Sequence, residues 1–157
     1  MNVNPITVIK TIISYINTEF CVGDYADLED HVFTGPNEEL ENKADKYFVC
    51  IFWNFDQGVY ELGDSQTFTT INMIIRAGRR TDVMDTTGEK EDFDEFKFDI
   101  ANAIRSRSFR EYMAAEGIKT PSVHIGTISD LPMELTREGL RVGLIPISLI
   151  SYEDTST

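Results

Sequence analysis

The chain has 157 residues, which is enough for one domain with a buried core. Its 27 acids against 14 bases leave a formal net charge of -13, which opposes nonspecific binding to nucleic acid or anionic membranes. With 41% hydrophobic residues it is not a disordered composition, and no apolar run reaches the ~20 residues that a membrane span requires.

Asn4-Pro5 reads as a helix start, with Asn4 capping and Pro5 at the first helical position. Ile6, Ile9, Ile13, Ile16 and Phe20 then follow at three- and four-residue spacing, which predicts an amphipathic helix to about residue 20. Many of its residues are β-branched and poor helix formers, so packing must hold it. Gly23 is the expected stop, and no secretory signal is recognisable at this end. Residues 24–46 read as a long acidic loop, containing Asp24, Asp27, Glu38 and Glu39, with a short edge strand near 31–33 as an option.

Residues 47–55 form the clearest strand. Tyr47, Val49, Ile51, Trp53 and Phe55 make one face, and Phe48, Cys50 and Phe52 make the other apolar too. Such a strand must be covered on both sides, by helices or by a neighbouring subunit. Asp56-Gln57-Gly58 reads as a hairpin turn. Strands are expected at 59–62 and 66–77, with Gly78-Arg79-Arg80 ending the second. Residues 81–92, with Asp82, Asp85 and Glu89, read as a second acidic loop.

Phe93, Phe96, Ile100 and Ile104 give the core stripe of a second helix, which Ser106 or Ser108 restarts and Gly117 ends. Two strands follow, at 122–129 and from Leu140 onward. Pro146 has no N–H for a sheet ladder, which predicts a bend or an edge position there. The tail after residue 152 reads as solvated. Strands clustered between helices, with hairpin-like links, predict a single α+β domain over 1–157, its mainly antiparallel central sheet flanked by two principal helices.

The chain carries no phosphate loop, dinucleotide turn or nucleophile elbow. His31 and His124 are the two histidines, and neither lies near Cys21 or Cys50 in sequence. The spacing of these four residues matches no usual zinc pattern, and two cysteines are too few for a disulfide framework. Acid pairs such as Asp92 and Glu95 make a hydrolytic dyad only if folding sets them across a cleft. The expectation is therefore no enzyme, no cofactor and no metal.

Arginines form the one distinct constellation: Arg76, Arg79 and Arg80, and separately Arg105, Arg107 and Arg110. Arginine suits ion pairing across an interface, and every copy of this chain also carries abundant acids. A basic edge meeting an acidic edge gives head-to-tail assembly, which closes into a ring when the rotation permits. Arg76, Arg79, Arg80, Arg105 and Arg107 are the expected interface residues.

The order of elements, carried by residues 4–20, 47–55, 66–77, 93–113 and 140–151, resembles the tail terminator, tail completion and neck proteins of tailed bacteriophages. The resemblance spans nearly the whole chain and rests on layout, since that family has no catalytic motif. It implies a virion tail or neck protein made in the host cytoplasm, forming a ring, commonly hexameric, that caps the tail tube and joins it to the head connector. In contractile tails the sheath is a further partner. It also implies that DNA passes through the lumen without being read, which an acidic lining favours by repelling phosphate. Asp24, Asp27, Glu38, Glu39, Asp82, Asp85 and Glu89 would then face the lumen or a partner ring. The 24–46 segment is longer than a minimal member of the family needs. The competing reading is a monomeric acidic inhibitor that neutralises a basic partner; a site built from dispersed acids is a third.

Overall fold

A computed structural model describes residues 4–35, 38–43, 46–52, 60–62, 69–80, 87–131 and 139–153. The first helix, α1 (Pro5–Tyr15), starts as its sequence requires. The Asn4 side chain accepts a hydrogen bond from the Ile6 amide at 2.9 Å, and Pro5 follows it. One wider π turn, Ile16–Phe20, continues it. The acidic stretch that follows is folded, not a bare loop. It forms a 3₁₀ segment (Gly23–Leu28), strand β1 (Val32–Thr34) and helix α2 (Glu38–Lys43). Leu28 is the buried anchor that makes this possible.

Strand β2 (Tyr47–Phe52) runs parallel to β1, so β1, α2 and β2 make a compact crossover. Strands β3 (Tyr60–Leu62) and β4 (Thr69–Arg80) follow, then α3 (Thr87–Arg105), α4 (Arg107–Ala115), β5 (Ile118–Ile125), β6 (Ser129–Asp130) and β7 (Leu140–Glu153). The described strands form one mixed sheet in the order β1-β2-β4-β7-β5, with β3 pairing β4 and β6 pairing β7. All pairings except β1–β2 are antiparallel. The fold is therefore α+β with a mainly antiparallel sheet, as its sequence predicts.

Four expectations change. The turn expected at 56–58 lies outside the described residues, but the strands on either side of it do not pair with each other. Phe52 faces Ile74 and Tyr60 faces Ile71, so β2 and β3 run in the same direction along one side of β4. β2 and β3 are therefore not the paired arms of a hairpin, and Trp53 and Phe55 lie outside the described residues. Second, Gly78 does not end β4, which continues to Arg80 because the Phe48 ring needs the space that a side chain at Gly78 would fill. Third, the second helix begins at Thr87, inside the stretch expected to be a loop, while its break falls at Ser106, one of the two restart positions expected. Ser106 Oγ donates to the Ala103 carbonyl at 2.7 Å and accepts from the Phe109 amide at 3.1 Å, ending α3 and capping α4. Gly117 then closes α4 with φ +82°.

Fourth, Pro146 is not at an edge: β7 is interior, and Pro146 faces Ile74 within it. In an antiparallel strand a residue's N–H and C=O point toward the same neighbour. The Pro146 carbonyl accepts from the Gly126 amide at 2.8 Å, so its missing donor also faces that side. There the β5 pairing ends at Ile125 and the β6 pairing begins at Ser129. The proline thus sits where the neighbouring ladder is already interrupted.

The sheet has two unlike faces. Helices α1, α3 and α4 cover one, burying Ile71, Met73, Ile75, Ile145, Ile147 and Leu149 against Ile9, Ile12, Phe93, Phe96, Ile100, Phe109 and Met113. The other face holds a smaller cluster of Phe33, Phe48, Cys50, Leu140 and Val142, with Phe52 and Leu131 packed on it. This cluster explains why β2 is apolar on both sides: the chain covers both faces of that strand itself, without a neighbouring subunit.

Candidate functional site

The two arginine groups separate sharply. Arg76 and Arg79 are three residues apart on β4, so they emerge on opposite faces of the sheet. Arg76 Nε lies 2.6 Å from Glu41 Oε1, with the Arg76 side chain 20% exposed and the Glu41 side chain 1%. This ion pair pins α2 onto the second face. Arg79 is buried on the helix face. Its guanidinium lies 3.6 Å from Asp92, donates to the Arg80 carbonyl at 3.2 Å, and stacks near the Tyr47 ring. Arg80 is half-buried and donates its amide to the Lys46 carbonyl at 2.7 Å. The expected interface patch at 76–80 is therefore not one surface: the charges of Arg76 and Arg79 are used inside the fold.

The second group is different. Arg105, Arg107 and Arg110 are exposed around the α3–α4 corner, and the Arg107 side chain is 91% exposed. Arg107 pairs with its helix neighbour Glu111 at 2.8 Å, and Arg105 donates to Asn102 at 2.8 Å. Helical spacing puts Arg107, Arg110, Glu111 and Ala114 on one outer face of α4. Arg110, Glu111, Ala114, Lys119 and Thr120 line a shallow depression between α4 and β5. The result is a basic strip along the β5 edge of the sheet.

The acids gather elsewhere. Asp24, Glu29 and Asp30 are exposed and Asp27 is half-buried, all in or just after the 3₁₀ segment. That segment packs on β2 through the Tyr25 and Tyr47 rings, 5.4 Å apart, and leads directly into β1 at the opposite edge. Tyr25 OH donates to Asp99 Oδ2 at 2.6 Å, tying the segment to α3. Burial and this bond to Asp99 both push the Tyr25 hydroxyl above its ordinary range. Cys21 lies beside the same acids. Burial, then the charges of Glu29, Asp27 and Asp30, push its thiol up to about 11.

Of the other acids expected to project, Glu39 is exposed on α2, where it pairs with Lys43 at 3.4 Å. Glu38 lies on α2 and Glu89 on α3, so Glu89 belongs to a helix and not to a loop. Asp82 and Asp85 lie outside the described residues. Along α3, Glu91, Asp92, Asp94 and Glu95 are exposed.

A buried network that sequence reading missed fastens α3 to the sheet. Lys97 is 7% exposed, bonds Asp130 on β6, lies 3.0 Å from Asp94, and sits over the Phe93 ring at 4.6 Å. Its stem crosses Gly143, where any side chain would collide with it. The signal available in sequence was a lone lysine on the apolar stripe of a helix, which requires a partner.

Cys21 and Cys50 are both buried thiols outside any disulfide, in the clusters on opposite faces of the sheet. His31 is half-buried just before β1, and His124 is exposed opposite Ser148. Among the described residues, no group of three or more His, Cys, Asp or Glu is placed to hold a metal ion. No helix among them is long and apolar enough to cross a membrane. Comparison with protein-family models and with curated proteins gave no match.

Proposed function

We propose that this chain is a structural protein that assembles with copies of itself into a ring, in the manner of the phage tail terminator and tail completion proteins that its layout resembles. One observation carries the reading: a chain of net charge -13 presents an exposed basic strip, Arg105, Arg107 and Arg110, around the α3–α4 corner. In such a chain the nearest abundant acidic partner is another copy. The ring would cap a tail tube and join it to the head connector, in contractile tails beside the sheath, with DNA passing through an acidic lumen. Exposed acids such as Glu39 on α2 are available to line it.

The test is polymerisation of a phage tail-tube protein with and without this chain, followed by electron microscopy. Tubes that stop at shorter lengths and carry a ring at one end support the reading. Tubes of unchanged length with no bound density overturn the terminator role. The net charge also favours a second reading, a monomeric inhibitor of a basic partner, which a strictly monomeric chain would support.

A further inference from the structure

The sheet places opposite charges at its two edges, which points to how copies would join. A net basic strip, Arg107, Arg110 and Lys119 with the single acid Glu111 among them, follows α4 and β5 at one end of the strand order. The acidic segment Asp24, Glu29 and Asp30 lies beside β1, at the other end. These are different surfaces at opposite ends of one strand order. A contact between them is heterologous, and each copy keeps one basic and one acidic edge open for the next.

The geometry points to an interface in which the α4–β5 edge of one copy docks on the 24–30 segment of a second copy, repeated head to tail. It rests on the self-assembly reading above and adds the mating surfaces and their polarity. The contact runs through side chains and not through an added strand. Pro121 lies within β5, and the ladder shifts between Lys119 and Ser122, so that part of the edge is poor for strand addition. An interface of exposed charges weakens with salt.

Two neutralising variants test it in sedimentation experiments at low salt. Arg107→Gln/Arg110→Gln removes the basic edge, and Asp24→Asn/Glu29→Gln/Asp30→Asn removes the acidic one. All five side chains are exposed, and asparagine tolerates the φ of +70° found at Asp30. Wild-type protein should associate, and each variant alone should associate at least about tenfold more weakly, the combined effect of several exposed pairs. A mixture of the two variants should form one-to-one pairs and stop, because each supplies the edge that the other lacks. Wild type and both variants associating equally would overturn this interface and leave self-assembly standing. Weakened variants that do not pair on mixing would overturn the head-to-tail polarity. A wild-type chain that stays monomeric would overturn both.

Discussion

The ring of Phe48 occupies the space above Gly78 on the neighbouring strand, where any side chain would collide with it. This relationship keeps β4 continuous to Arg80 and fills the small second-face core. Gly78→Ala should therefore destabilise the fold by about 1–3 kcal/mol through overpacking. The urea midpoint checks it, and a smaller residue at Phe48 should restore part of the loss. An unchanged midpoint for Gly78→Ala would refute the close approach.

Arg76 and Glu41 form an ion pair that holds α2 in place. Arg76→Met leaves the Glu41 carboxylate buried without this cation and should cost about 3 kcal/mol. The double variant Arg76→Met/Glu41→Met should be markedly more stable than Arg76→Met alone, because no charge then remains to be desolvated. Equal stability of the single and double variants would show that the pair does not act as a unit.

Asp94 gives a pH signature. Burial alone would raise its carboxyl pKa, but the hydrogen bonds and charges of Lys97 and Lys90 outweigh burial and hold it below the ordinary carboxylate range. Its contribution is present above the unfolded-state pKa and is lost as pH falls through the lower folded value. Wild-type stability should therefore drop on the acid side of pH 4, and Asp94→Asn should flatten that part of the profile. Thermal melts between pH 2 and 6 measure this directly.

Cys21 should be a poor nucleophile. With its thiol pushed from 9.0 up to about 11, the thiolate fraction at pH 8 falls about a hundredfold. Alkylation by iodoacetamide should be slower in the native protein by at least that factor than in denaturant. Rapid native labelling at Cys21 would contradict the packing around it.

Much of the architecture was legible in the sequence because local chemistry and tertiary packing agree there. Asn4-Pro5, Ser106 and Gly117 each do what their caps require, and the stripe from Phe93 to Ile104 is buried as its spacing predicts. The errors arise where a long-range partner overrides a local signal. Gly78 reads as a stop until Phe48 is laid across it, and Pro146 reads as an edge until the gap between β5 and β6 is seen beside it. The basic residues show both cases. Strand alternation alone separates Arg76 from Arg79, whereas the partners Glu41 and Asp92 come from distant elements and have no sequence signature. The exposed strip at Arg105, Arg107 and Arg110 needed only helical spacing to be recognised.

Self-assembly driven by charge is the central claim, and sedimentation equilibrium of the purified protein tests it most directly. Mass should be followed across protein concentration at low and at high salt. The account predicts species that are multiples of the 17.9 kDa chain, growing with concentration and receding as salt is raised. A single 17.9 kDa species at every concentration and both salt levels would contradict it.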